Sequence, residues 1–232
     1  MMTNNRDIKK KLLSEHSEQY IIDTLKPYLT DARRERIDTV IECRLNSIQL
    51  AIECPSDINN ALAAIRTCEA LGISHIHIIK QESSAVAIKN ITQGAFYWVN
   101  IHFHKTMDDF LTFINNEKLQ LAGGTVTSEQ TLQDIPIDSP LCILIGNEQR
   151  GLSQQAQQAC QYPYTIPMHG MSESMNLSVS AAISLYDVSC RKREQLGRNG
   201  DLSQQQQAHL RAQYYLHSTE TRLAQALLKK KT

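Results

Sequence analysis

Ile166-Pro167-Met168-His169-Gly170-Met171-Ser172-Glu173-Ser174-Met175-Asn176-Leu177-Ser178-Val179-Ser180 takes an apolar strand end into a small polar loop, and the loop opens straight into a helix. Such a loop leaves backbone donors and acceptors unpaired, and a helix start adds free N–H groups. A chain built this way holds a small polar ligand largely with main chain. Ser174 and Asn176 stand where the helix begins, as N-caps, as groups facing a ligand, or as both at once.

Two upstream stretches have the same character. Gly146-Asn147-Glu148-Gln149-Arg150-Gly151-Leu152 follows the apolar run 141–145. That puts Glu148 at the carboxyl end of a strand, where open α/β sheets bind ligands; read alone, the stretch is also an ordinary polar turn. Further back, Asn60 and Arg66 are separated by less than two helical turns. Arg66 follows Leu62-Ala63-Ala64-Ile65, so its charge is either placed for a purpose or simply an exposed helix arginine.

The elements between them set the fold class. Apolar or alternating runs at 48–52, 75–79, 98–103, 119–122 and 141–145 read as strands, and 59–71, 106–117, 153–160 and 177–195 as helices. Asn59 or Asn60 caps the first of these and Gly72 stops it. Strands alternating with helices give an α/β domain with a mostly parallel sheet flanked by helices. Residues 1–46 read as a helical N-terminal extension, interrupted at Pro27 and with Asp31 as a second cap. The core domain spans 47–196. A basic, Gln-rich extension, 197–232, closes with one helix over 203–230.

The chain has 232 residues, 41% of them hydrophobic, which suffices for a sizeable core. No apolar run approaches the about 18 residues a membrane helix needs, and the polar start does not read as a secretory signal. The six cysteines never form Cys-x-x-Cys, which favours reduced thiols in the cytoplasm. There is neither a P-loop nor a Gly-x-Gly-x-x-Gly fingerprint. His75/His77 and His102/His104 share strand faces, but no carboxylate or cysteine spacing completes a metal site; a solvent-facing strand edge is the expectation, with no metal. Net charge is zero but unevenly spread. Residues 1–50 hold 9 basic and 8 acidic groups, 51–188 hold 6 and 13, and 189–232 hold 9 and 3. Two basic ends around an acidic middle suit appendages that contact phosphate.

In order along the chain, Asn60-x5-Arg66-Thr67-Cys68-Glu69-Ala70-x-Gly72, Ile143-Leu144-Ile145-Gly146-x-Glu148-x-x-Gly151 and Ile166-Pro167-Met168-x-Gly170-Met171-x-x-Ser174-x-Asn176-x-Ser178-Val179-Ser180 resemble the SPOUT-class, TrmH-type RNA ribose 2′-O-methyltransferases. The resemblance runs from about residue 32 to 198. It implies a C-terminal deep trefoil knot, S-adenosylmethionine as cofactor, and a homodimer with its active sites at the interface. Gly124, Gly146, Ile166, Met168, Met175 and Leu177 would line the cofactor pocket. Arg66 would act on the ribose hydroxyl, with Asn60, Glu148, Ser174 and Asn176 placing Arg66 and substrate. Arg33, Arg34, Arg36, Arg191, Lys192, Arg193 and Arg198 would hold RNA phosphates.

The resemblance casts Arg66 as a general base. An arginine keeps its proton at physiological pH, so a cation beside the developing alkoxide is the physically easier role. The chain departs from the family just before Asn60, where the family's basic His-Lys-Pro-His is here Ser56-Asp57-Ile58-Asn59. The expected activity is 2′-O-methylation of a guanosine in the tRNA D-loop. Alternatives are another tRNA or rRNA nucleotide, an RNA-binding protein that kept the fold without catalysis, or an assembly scaffold built on the terminal helices.

Overall fold

Six parallel strands hydrogen-bond in the order β3-β2-β1-β5-β4-β6 in the computed structural model, which describes residues 5–80 and 98–229. The strands are β1 Leu45–Glu53, β2 Ile73–Ile79, β3 Asn100–His104, β4 Gln120–Gly124, β5 Leu141–Ile145 and β6 Tyr162–Tyr164. Between them run α4 Ile58–Leu71, α5 Met107–Asn116 and α6 Gln154–Ala159, and α7 Leu177–Leu196 follows β6. Two helices precede them, α1 Asn5–Glu15 and α2 Glu18–Leu25, then α3 Asp31–Glu42; α8 Gln204–Ser218 and α9 Thr221–Leu227 come last. A mostly parallel sheet flanked by helices is therefore what the chain forms.

Strand alternation sorts the core into two layers. Leu50, Ile52, Ile76, Ile78, Leu141 and Ile143 face α4 and α7, meeting Ala61, Ile65, Ala181 and Leu185. Ala51, Cys142 and Leu144 face the other way, onto Phe110 and Ile114 of α5 and Ala156 of α6. β1 and β5 are buried throughout their central residues, as strands covered on both faces must be.

The chain divides into two compact units, residues 45–199 and a helical unit of 1–44 with 200–232. The two terminal extensions thus pack as one body, α8 lying against α2 and α3. In it Lys9 Nζ donates to the carbonyls of His217 and Thr219. Thr219 adopts extended backbone, so the single helix expected over 203–230 is two. Its last carbonyls bond to Lys9 instead of to a further turn.

Other expectations need correction. Thr30, not Asp31, caps α3, and Asp57, not Asn59 or Asn60, caps α4. The strand whose end was read at Ile166 is β6, which stops two residues earlier, is three residues long and has Pro163 at its centre, which an edge strand tolerates. The histidines do not face solvent. His77 and His104 are buried, and His75 and His102 are half-buried, because Phe110 and Phe113 of α5 lie against the rings of His77, His102 and His104, and His75 stacks on His102.

Candidate functional site

The three motifs meet at the carboxyl edge of the sheet. β5 ends in residues 146–152, a loop closed on itself by Asn147 N–H to Gly151 O at 3.0 Å and Gly151 N–H to Asn147 O at 2.9 Å. Gly146 is packed so tightly inside this turn that a Cβ would lie 2.2 Å from the Gly151 carbonyl carbon. Gly151 has φ of 66°, open to glycine without strain.

Beside the loop lies a cavity of about 550 Å³. Residues 124–127, 145–152 and 164–166 line it, with Met168, Met175 and Leu177 adding apolar surface. All six residues expected to line a cofactor pocket, Gly124, Gly146, Ile166, Met168, Met175 and Leu177, border it, and so do Glu148 and Ser174. The size lies within the range of small-molecule sites.

A chain of side-chain bonds joins the other expected residues at one end. Glu148 accepts from the Asn60 amide at 2.9 Å and from the backbone N–H of Ser56 at 2.8 Å and Asp57 at 3.4 Å. Asn176 Nδ2 donates to Asn60 Oδ1 at 2.9 Å, and Asn176 Oδ1 accepts from Ser178 and Val179 N–H as the cap of α7. Burial alone would raise the Glu148 carboxyl, but the Asn60 and backbone donors outweigh it and hold it down at about 2. Glu148 is thus a fixed anion. Its acceptor capacity is spent on placing Asn60 and the start of α4.

Arg66 is exposed on α4 and does not border the cavity. Among the expected phosphate contacts, Arg36 and Arg198 are exposed. Arg33, also exposed, bonds Ser218, and Arg34 pairs with Asp31. The other three are turned inward. Arg191 donates to the carbonyls of Ile135 and Leu132 and pairs with Asp187. The buried Lys192 donates to Ile137 O, and Arg193 to the carbonyls of Leu71 and Asn199. A basic cluster at a helix end signalled phosphate; here these donors hold neighbouring segments of the same domain.

Sequence reasoning missed Asn147, which was only a spacer in the second motif. Its Nδ2 donates to Cys54 O at 2.6 Å and Ser56 Oγ at 2.7 Å. Asn is common in turns, so nothing local distinguished it. Among the described residues no group of three or more His, Cys, Asp or Glu is arranged to hold a metal, and no helix is long and apolar enough to cross a membrane.

Known proteins resemble this chain in sequence and fold. A tRNA (guanosine(18)-2′-O)-methyltransferase of Borreliella burgdorferi is 28% identical over 195 residues, covering 84% of this chain and 89% of its own. The enzyme of the same name from Escherichia coli K12 is 27% identical over 170 residues, 73% of this chain and 74% of its own. The crystal structure of the A. aeolicus TrmH/SpoU tRNA modifying enzyme superposes with a TM-score of 0.71 at 26% identity, over 82% of this chain and 98% of that one. The sequence model of the SpoU rRNA Methylase family matches residues 47–186, which hold the sheet, the cavity and all three motifs, and the chain belongs to that family.

Proposed function

We propose that this protein transfers the methyl group of S-adenosylmethionine to the ribose 2′-hydroxyl of a guanosine in tRNA, at position 18 as in the relatives' names. The observation that carries the reading is the cavity bordered by residues of the second and third motifs, with Glu148 of its lining tied to Asn60 and Asn176. The cavity suits the cofactor, since its lining joins polar residues such as Thr125, Glu148 and Ser174 to the apolar Met168, Met175 and Leu177. When bound, that cofactor supplies a methyl already activated by the sulfonium, so alignment matters more than acid assistance.

The chain's own residues do the rest. Asn60 and Asn176, fixed by Glu148 and by the α7 cap, present amides to the ribose, and Ser174 borders the cavity beside them. With the cofactor held there, the ribose oxygen would take the methyl as its bond to sulfur breaks, and the hydroxyl proton would pass to solvent water, since a charged guanidinium has no room for it. Arg66 stabilises the oxygen as that proton departs, working as a cation.

Because Arg66 does not line its own chain's cavity, the reading includes a homodimer in which paired copies complete each site. Val179, Ile183 and Tyr186 recur at helical spacing on α7 and are 46%, 37% and 63% exposed, an apolar stripe suited to a second copy. The trefoil knot belongs to the same reading. Its support is that residues 164–165 run between two parts of one loop: Tyr164 O accepts from Thr125 N–H, while Thr165 bonds Gln130 and Leu132. Arg33, Arg36 and Arg198 would meet tRNA phosphate, with 47–196 as the methyltransferase domain and 1–46 and 197–232 as its helical, RNA-contacting extensions. Six free cysteines fit a cytoplasmic setting.

The test is purified protein with tritiated S-adenosylmethionine and an unmodified tRNA transcript. Label is expected in ribose at guanosine 18 and lost in Arg66→Ala. No label from the natural chain, or equal label from the variant, rejects the reading. Cofactor-independent tRNA binding without methyl transfer would favour an RNA-binding role.

A further inference from the structure

Residues 146–152 have two faces. One borders the cavity; the other grips the connection between β1 and α4. Asn147 uses its whole amide there. Nδ2 donates to Cys54 O at 2.6 Å and Ser56 Oγ at 2.7 Å, while Oδ1 accepts from the N–H of Gln149 at 2.9 Å and Arg150 at 3.1 Å. Glu148 extends the grip to the Ser56 and Asp57 N–H groups.

The gripped segment is not in a relaxed conformation. Cys54 has φ of 46°, left-handed backbone that a side chain disfavours. Its carbonyl is one of the two groups Asn147 holds. Its N–H donates to Ile79 O at 2.8 Å, and Lys80 Nζ donates to Pro55 O at 2.5 Å. Residues 54–57 lead directly into α4, which carries Asn60 and Arg66. No other side chain of the size of Asn147 offers two donors outward and an acceptor to the turn. Aspartate would set a carboxylate against the Cys54 carbonyl, and alanine would leave both groups unheld.

We propose that Asn147 is a positioning residue that couples the two ligands: filling the cavity orders residues 146–152, and the Asn147 clamp passes that order to residues 54–57 and so to α4, whose Asn60 and Arg66 the functional reading sets against the ribose. The inference rests on the functional reading above. Coupling of this kind is reciprocal, so tRNA strengthens cofactor binding by the factor that cofactor strengthens tRNA binding.

The test is the affinity of an unmodified tRNA transcript at fixed salt, by fluorescence anisotropy, with and without saturating S-adenosylhomocysteine. In the natural chain S-adenosylhomocysteine tightens tRNA binding about fivefold or more, a typical coupling. Asn147→Ala brings that factor to within about twofold of unity, and Ser56→Ala, which keeps the Cys54 bond, falls between. Full coupling in Asn147→Ala overturns the inference. So does a natural chain that binds both ligands without coupling, and in that case the functional reading stands. A natural chain that binds neither ligand overturns both. If Asn147→Ala no longer unfolds cooperatively, Ser56→Ala decides, and undiminished coupling there overturns the clamp.

Discussion

Glu148 accepts the Asn60 amide at 2.9 Å across 88 residues of sequence, and this one bond joins the second motif to the first. Held at about 2 against an ordinary 4.5, the carboxylate stabilises the fold above pH 4.5, and that contribution is lost as pH falls toward 2. Glu148→Gln keeps the size but has one acceptor oxygen for three donors. It is expected to cost about 1–2 kcal/mol at pH 7 and about 10²-fold in kcat/KM, of the order of other misplaced-substrate effects. Urea unfolding at pH 7 and pH 3 checks the sign: the gap between natural chain and variant narrows at the lower pH.

Gly146 and Gly170 belong to motifs bordering the same cavity but differ in surroundings. A Cβ at Gly146 would lie 2.2–2.5 Å from backbone atoms of Gly151 and Leu152, which cannot turn aside, whereas one at Gly170 meets nothing within 4 Å. Gly146→Ala is expected to destabilise by about 1–3 kcal/mol and to weaken S-adenosylhomocysteine binding at least about tenfold, since it opens the turn that forms the wall. Gly170→Ala should stay within about 0.5 kcal/mol of the natural chain. Calorimetric titration and thermal melts of both separate a general glycine effect from a specific one.

Basic residues near the end of α7 divide the same way. Lys192 is 6% exposed and donates to Ile137 O at 2.7 Å, so Lys192→Ala removes a bond holding residues 137–138 and should cost about 1–3 kcal/mol. Arg36 and Arg198 are exposed. Their alanine variants should leave the melting temperature unchanged while each lowers the salt dependence of tRNA binding by about one phosphate contact. Anisotropy titrations over a salt series read that slope. An unchanged slope in both variants removes them from the RNA surface.

How far the sequence could be read follows from which physics was local. Strand alternation and the Gly- and Asn-rich turns depend on a few neighbouring residues, so the positions of β1, β5 and the cavity loops were legible, while the residues lining the cavity came from the family resemblance of the three motifs. Helix caps were displaced by one to three residues because Asp57, Asn59 and Asn60 are all competent acceptors, and only the fold decides among them. The inward turn of Arg191, Lys192 and Arg193 depends on carbonyls more than 50 residues away for the first two, and on Leu71 for the third. The burial of His77 depends on α5 covering its face. A charged or aromatic side chain reads alike in sequence whether its partner is water or a distant loop.

The histidines show what that covering does. His77 Nδ1 lies 2.9 Å from His104 Nε2, and its Nε2 lies 2.8 Å from Gln49 Oε1. His75 Nδ1 lies 2.9 Å from His102 Nε2. Each ring-to-ring bond needs one bare nitrogen, so protonating both rings sets donor against donor. Burial first, and neighbouring histidines second, hold His77 down at about 2 and His75 at about 4; burial also lowers His102 and His104, against the opposing pull of Glu117 and Asp109 respectively. Since the folded values lie below the ordinary 6.5, stability from these rings is full above pH 6.5 and declines as pH falls, for His75 until about 4 and for His77 further. Unfolding free energy should therefore be flat from about pH 8 to 7 and then fall by up to about 1.4 kcal/mol per pH unit for each proton excluded. His77→Gln keeps hydrogen-bonding groups and removes the titration, so its slope between pH 6.5 and 4 should be shallower by about one proton. Equal slopes in urea melts of the two proteins across that range would place the acid sensitivity elsewhere.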